Sequence, residues 1–97
     1  MKFLGNFGGT MAGTVHLTGD TPWEIHPGGD ECLLLLSGAA DVIVEGPGRR
    51  RVTRLSAGSA CVVPRGRWHR LRTREPGHLL FVTPTVGTRQ RGDRGRK

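Results

Sequence analysis

The chain has 97 residues, of which 35% are hydrophobic and 24% are charged, a balance that excludes a disordered chain and a second independent core. Its longest apolar run, residues 32–36, has the length of a strand and is far shorter than the roughly 20 residues of a membrane-spanning helix. The formal net charge is +7, but residues 89–97 hold five basic residues against one aspartate. We therefore expect a basic, disordered tail at 89–97 rather than a charged core domain.

Eight short segments of strand length follow one another along the chain, separated by turn formers such as Gly46-Pro47-Gly48. In chain order they are residues 10–18, 23–26, 31–37, 40–45, 50–55, 60–63, 67–73 and 78–83. The fourth and fifth segments flank a turn and are predicted to form a hairpin. No stretch has the 3.6-residue period of an amphipathic helix, so the pattern predicts an all-β barrel or sandwich.

Two segments place polar side chains where they can meet. Glu24 and His26 are two residues apart on a predicted strand and share a face, and Glu31 follows them after a four-residue turn. His69 begins another strand after the turn Pro64-Arg65-Gly66. Two imidazoles and a carboxylate with open positions form a typical site for a divalent transition metal. The candidate metal ligands are therefore His26, Glu31 and His69, with Glu24 beside them.

These two segments resemble the two motifs of the cupin superfamily. In the first motif, four residues separate His26 from Glu31, and six more precede Gly38. In the second, Gly58 is followed by the Pro-x-Gly turn and by His69. The resemblance covers residues of about 10 to 86, and it is closest to small bacterial cupins with a Trp-Glu-x-His-Pro-x-Gly-Asp-Glu hairpin. It implies a small jelly-roll β-barrel over residues 1–88 that holds one divalent metal ion.

The chain departs from the motifs at two positions. Glu24 replaces the first histidine, and Thr73 replaces the final asparagine. Three roles are open for Glu24: a fourth metal ligand, a hydrogen-bond acceptor that orients a histidine, or a general base for a bound substrate. The mixed donor set suits iron, manganese, zinc, nickel or copper equally. A cupin that has lost its metal and holds a small molecule with these polar groups is the remaining alternative.

The first functional hypothesis is a metalloenzyme with oxygenase, isomerase or cyclase chemistry on a small organic molecule inside the barrel, with Leu33, Leu35, Phe81 and Val62 or Val63 as candidate walls. The alternative is a non-catalytic cupin that binds or senses a small molecule. Nucleic-acid binding through the tail is a weaker idea, because no aromatic residue interleaves with its arginines. We expect a cytoplasmic homodimer without membrane association, since the sheet edge near residues 3–10 needs cover.

Several other residues carry smaller expectations. Cys32 and Cys61 are expected to be reduced core residues, and Trp23 and Trp68 to pack outside the cavity. Arg65 or Arg67, on the turn before His69, is a candidate contact for an anionic substrate. We expect His16 and His78 to lie on the surface.

Overall fold

The computed structural model describes residues 1–91, which form ten β-strands and no helix. The described part of the chain therefore contains no helix that could cross a membrane. The strands are β1 (Lys2–Phe7), β2 (Thr10–Leu17), β3 (Trp23–Ile25), β4 (Glu31–Leu35), β5 (Ala39–Gly46), β6 (Arg49–Ser56), β7 (Ala60–Val63), β8 (His69–Glu75), β9 (Gly77–Pro84) and β10 (Arg89–Arg91).

The strands form two five-stranded antiparallel sheets, in the orders β1-β2-β9-β4-β7 and β10-β3-β8-β5-β6. Successive strands often cross from one sheet to the other, which is the connectivity of a jelly roll. The predicted all-β jelly roll is confirmed, as two facing sheets. All eight predicted strands are present within a few residues of their expected bounds. β1 and β10 were not predicted, and they lie at one edge of each sheet.

Side chains from both sheets meet in one apolar core. Along β4 the residues alternate, so that Leu33 and Leu35 point inward with 1% of their surface exposed while Cys32 is exposed. Val42 on β5 and Leu55 on β6 face them from the other sheet. Full burial of one such aliphatic side chain contributes about 1.5–3 kcal/mol. Cys32 is therefore a surface residue, contrary to the sequence prediction.

Gly38 lies in a position that only glycine accepts. Its φ of +87° is in the left-handed region, and a Cβ added there would lie 2.6 Å from the carbonyl oxygen of Glu75 and 2.7 Å from that of Pro76. The chain must pass this close because the β4–β5 connection packs against the β8–β9 connection. Steric contact with these carbonyl groups therefore explains why the first motif ends with a glycine, Gly38.

The structure differs from the prediction that a disordered tail starts at residue 89. Arg89–Arg91 form β10, which pairs with β3 through the partners Arg89↔Ile25 and Arg91↔Trp23. The Arg91 guanidinium lies 5.3 Å from the centre of the Trp23 ring and 4.5 Å from that of Trp68. Its Nη2 atom is also 3.2 Å from Glu45 Oε2. These stacking and charge contacts attach residues 89–91, the start of the expected tail, to the sheet. Residues 92–97 lie outside the described part of the chain.

Candidate metal centre

The strands bring the four predicted polar side chains together. Glu24 lies on β3, and its direct partner across the sheet is His69, the first residue of β8. His26 follows β3, and Glu31 opens β4 after the intervening turn. His26, Glu31 and His69 are buried, with 3%, 5% and 3% of their surface exposed. Buried polar side chains of this kind need hydrogen-bond or metal partners. The distances between their donor atoms show which of these partners is possible.

The turns that carry these residues are tied to each other. The backbone N–H of Gly66 donates to the carbonyl of His26 over 3.1 Å. The backbone N–H of Arg65 donates to Asp30 Oδ1 over 2.8 Å. The turn before His69 is thereby attached to the turn between His26 and Glu31. This contact fixes the spacing of the ligands from two segments that are far apart in sequence.

The donor atoms of the cluster have the separations of atoms that share one ion. His26 Nε2 is 3.3 Å from Glu31 Oε1 and 3.6 Å from Glu24 Oε1, and His69 Nε2 is 2.9 Å from Glu31 Oε1. Two ligands bonded to a metal at about 2.1 Å and at right or tetrahedral angles are roughly 3.0–3.4 Å apart. Glu24, His26 and His69 also each offer a ligand atom within 4.8 Å of the others. All four predicted residues therefore lie in one cluster, including Glu24.

Three further side chains contact the ligand-residue atoms that point away from the centre of the cluster. None of the three was predicted from the sequence. The Thr83 hydroxyl donates to Glu31 Oε2 over 2.6 Å, and Gln90 Nε2 donates to Glu24 Oε2 over 2.7 Å. His26 Nδ1 lies 2.9 Å from Thr88 Oγ1. A hydrogen bond at the far nitrogen or oxygen orients a ligand toward its ion. Thr88 and Gln90 reach the cluster because β10 pairs with β3.

Three buried atoms of the cluster have no hydrogen-bond partner among the described residues: His26 Nε2, Glu31 Oε1 and His69 Nδ1. Two of them, His26 Nε2 and Glu31 Oε1, face each other without the alignment of a hydrogen bond. Buried polar atoms are nearly always paired, so two facing atoms of this kind are suited to share a cation. Because imidazole nitrogens and carboxylate oxygens are all good donors to divalent transition metals, the residues present fit such an ion.

The charges of the cluster favour an ionised carboxylate at its centre. Burial alone would raise the pKa of Glu31, but the adjacent imidazoles of His26 and His69 and the Thr83 hydroxyl outweigh it and lower this pKa to about 2. Burial would also lower the pKa of His26, but the carboxylates of Glu31 and Glu24 reverse this and raise the pKa above 6.5. Glu31 is therefore negative at neutral pH, with a cation or protons needed beside it.

A cavity of about 540 Å³ opens beside these four residues. Its lining is mostly apolar, and it includes no arginine or lysine. The predicted walls Leu33 and Phe81 are confirmed, whereas Leu35 and Val63 belong to the core instead. Val62 is exposed and lines a different cavity. The main apolar contributors are Met11, Val15, Leu17, Leu33, Leu79 and Phe81.

The other residues singled out in the sequence do not join the cluster. His16 and His78 are direct partners on β2 and β9, both are exposed, and their rings stack at 4.7 Å. Trp23 is 7% exposed and packs outside the cavity beneath arginine side chains. Arg65 is exposed and Arg67 faces a second cavity, so neither lines the space beside the cluster. The suggestion that one of these two arginines reaches a substrate there is wrong.

Comparisons with known proteins agree on the fold. The chain matches a cupin-2 domain containing protein from Shewanella frigidimarina NCIMB 400 with a TM-score of 0.73 and 19% identity, over 86% of this chain and 78% of that one. It matches oxalate oxidase in complex with the substrate analogue glycolate with a TM-score of 0.75 and 21% identity. It matches a hydroquinone 1,2-dioxygenase in complex with Cd²⁺ and 4-hydroxybenzonitrile with a TM-score of 0.70 and 21% identity.

These two enzymes are larger than the chain. The matches cover 84% of this chain in both cases, but only 46% of the oxalate oxidase and 61% of the dioxygenase. At such low identity the likeness shows the fold alone. A comparison with curated proteins gave no match. The sequence of residues 12–83, however, matches the family described as the cupin domain. Since this match spans most of the chain and agrees with the jelly-roll fold, the chain belongs to the cupin domain family.

Proposed function

We propose that this cupin binds one divalent transition metal ion through His26, Glu31 and His69, with Glu24 as the fourth donor, and acts as a metalloenzyme on a small organic molecule in the adjacent cavity. The observation that carries the proposal is the buried atom His26 Nε2, which has no hydrogen-bond partner among the described residues and faces Glu31 Oε1 at 3.3 Å, while His69 Nε2 lies 2.9 Å from the same oxygen. A metal ion between these donors removes the cost of burying them without partners. When bound, such an ion polarises a substrate oxygen or, if it is iron, activates dioxygen.

The cavity supports an uncharged, largely apolar substrate. Its walls are mostly aliphatic and aromatic, and its lining residues include no arginine or lysine to pair with an acid. Of the molecules bound by similar structures, the phenol 4-hydroxybenzonitrile in the dioxygenase fits such a lining better than the acid glycolate in the oxalate oxidase. We therefore propose that the substrate is a phenol or another neutral molecule with one oxygen atom that can bind the metal. Oxygenase, isomerase and cyclase reactions all remain compatible with this class.

Glu24 has a second proposed role, as proton acceptor. Its side chain lines the cavity and is 29% exposed, whereas that of Glu31 is 6% exposed. A carboxylate in this position can take a proton from a bound molecule and pass it to water. The hydrogen bond from Gln90 to Glu24 Oε2 holds the other carboxylate oxygen toward His26. Replacement of Gln90 by Leu should therefore slow turnover more than it changes metal content.

Elemental analysis tests the metal site. The protein is purified without a nickel column, reconstituted with each candidate metal, and compared with His69→Ala and with His78→Ala as a matched surface control. We expect about one ion per chain in the wild type and in His78→Ala, and almost none in His69→Ala. Equal metal content in His69→Ala and wild type would refute the proposed ligands.

A non-catalytic binding protein is the second candidate function. One observation favours it: without a metal, the 2.9 Å contact between His69 Nε2 and Glu31 Oε1 can be satisfied by a proton. The cluster would then be a neutralised polar patch at the end of an apolar cavity. Incubation of the metal-loaded protein with a panel of phenols separates the candidates. Thermal stabilisation without any product would favour binding, and consumption of a phenol would support the enzyme.

We also propose that the chain forms a homodimer through β1. This strand lies at a sheet edge, and its residues Phe3, Leu4 and Phe7 are 56%, 54% and 74% exposed. A free apolar edge is a site for pairing with a second copy. Light scattering should give twice the chain mass for the wild type and the chain mass for Phe3→Lys combined with Phe7→Lys. A wild-type monomer at high concentration would contradict the proposal.

A further inference from the structure

A second cavity, of about 280 Å³, lies where β5 and β6 of one sheet approach β7 of the other. Its lining shares no residue with the lining of the cavity beside the histidines. Three arginines contribute to it, namely Arg49 and Arg51 of β6 and Arg67 of the turn before β8. We call this space the arginine cavity.

The strand register explains why arginines face inward here. On β6 the inward positions alternate from the buried Leu55 through Thr53 to Arg51 and Arg49. Arg51 pairs with Val44, which packs on the core, and Arg49 pairs with Gly46 at the hairpin end. The core-facing side of β6 is thus basic at the start of the strand, next to the hairpin turn.

Arg67 completes the arginine cavity from the neighbouring turn. A Cβ added at Gly46 would lie 3.1 Å from Arg67 Nη1, so the guanidinium lies directly against the hairpin end that carries Arg49. Arg67 is half-buried, and a larger residue at position 46 would displace it. The absence of a side chain at Gly46 therefore leaves room for this guanidinium.

The three guanidinium groups have no anionic partner among residues 1–91: no carboxylate lies within 4 Å of Arg49, Arg51 or Arg67. The outward arginines differ, since Arg54 and Arg74 both pair with Asp41. The one acidic residue of the lining, Glu45, is already close to two other arginines, Arg50 at 3.9 Å and Arg91 at 3.2 Å. Like charges gathered in a concave space repel each other, and an anion between them removes that repulsion.

We infer that the arginine cavity is a binding site for a small oxyanion, either a phosphate group or a carboxylate. Guanidinium groups bind the oxygen atoms of both with paired, charge-assisted hydrogen bonds. The volume of about 280 Å³ accommodates inorganic phosphate or a short organic acid. The inference does not depend on the proposed metal chemistry, because the linings are separate. It also gives the arginine-rich turn before His69 a role that the metal centre does not use.

Isothermal titration of the full-length protein with inorganic phosphate, and separately with acetate, tests this site. The test variant combines Arg49→Gln with Arg51→Gln. The matched control combines Arg54→Gln with Arg72→Gln, which removes the same charge from the outward face. We expect at least about tenfold weaker binding in the test variant and less than twofold change in the control. Tighter binding of phosphate than acetate would assign a phosphate site, and the reverse a carboxylate site.

Three results would overturn the inference. Equal weakening in the test variant and the control would show that only overall charge attracts the anion. No binding of either anion to the wild type at millimolar concentration would show that the cavity is not a site for them. Loss of binding in His69→Ala with normal binding in the test variant would place the anion at the metal centre. A thermal melt of each variant ensures that weakened binding does not reflect unfolding.

Discussion

The two cavities described above lie in one sandwich but offer opposite chemistry. The larger one, beside the histidines, has apolar walls and ends in two imidazoles and two carboxylates. The arginine cavity has three cationic groups and one carboxylate that is already paired with other arginines. One lining thus offers donor atoms for a cation, and the other offers hydrogen-bond donors for an anion. The comparison shows that the inward side chains of one jelly roll can be apolar in one region and basic in another.

The contrast arises over a short distance. His69, Val44 and Arg51 are in register on three adjacent strands, β8, β5 and β6. Strands are about 4.8 Å apart, so the backbones of His69 and Arg51 are separated by roughly 10 Å. Val44 stands between them and packs on the core. A single aliphatic position therefore separates a candidate cation site from a candidate anion site.

The largest expected effect tests whether the two cavities are independent for metal binding. His26→Ala removes a donor whose other nitrogen contacts Thr88, and it should lower metal affinity by more than about 100-fold. Arg51→Gln should leave metal affinity unchanged. Competition with a fluorescent chelator measures both. A similar loss of affinity in the two variants would show that the cavities act as one site.

Residues of the two linings should also contribute differently to the free energy of unfolding. Leu33 is 1% exposed and lines the larger cavity, so Leu33→Ala should lower the free energy of unfolding by about 2–5 kcal/mol. Val62 lines the arginine cavity but is 59% exposed, and Val62→Ala should change stability by less than about 0.5 kcal/mol. Urea unfolding of the metal-free protein gives both values. A small effect of Leu33→Ala would contradict the core described above.

A smaller effect is expected from the C-terminal segment, where Thr88 contacts the candidate ligand His26. Thr88→Val removes the hydroxyl beside His26 Nδ1 with little change in shape, and it should weaken metal binding by about 10- to 100-fold. Thr85→Val, at an exposed threonine of the same segment, is the control and should have no such effect. If Thr88→Val binds metal like the wild type, the contact of Thr88 with His26 has no role in metal binding.

The smallest expected effect concerns ionic strength. Raising the salt concentration from 0.05 to 0.5 M should weaken phosphate binding in the arginine cavity several-fold, because Arg49 and Arg51 are exposed to solvent. Metal binding by the buried residues should change less. Parallel titrations in a non-coordinating salt measure the two responses. Equal salt dependence would remove the distinction between a buried site and an open one.

The sequence predicted most of the strands and the grouping of Glu24, His26, Glu31 and His69, since both depend on local spacing. Alternation and turn residues mark strands directly, and the two motifs place His26 and His69 next to turns. The contacts of Thr83 and Thr88 were not predictable, because each crosses more than 50 residues of chain and nothing in their local sequence indicates it. β10 was missed because its sequence, Arg-Gln-Arg, has the composition of a tail.

The arginine cavity was hidden for a related reason. The segment of residues 49–51 is three arginines in a row, which resembles a solvated strand. Only the register with β5 shows that the first and third of them point inward while Arg50 points outward over Trp23. A basic run therefore needs the register of its partner strand before its faces can be distinguished.

X-ray absorption at the edge of the bound metal tests the central claim of a four-residue metal centre most directly. We expect only nitrogen and oxygen ligands at about 2.0–2.2 Å, with the multiple-scattering signature of two imidazoles in the wild type and of one in His26→Ala. His16→Ala should give the wild-type spectrum. A sulfur shell, or loss of an imidazole in His16→Ala but not in His26→Ala, would place the ion elsewhere and contradict the account.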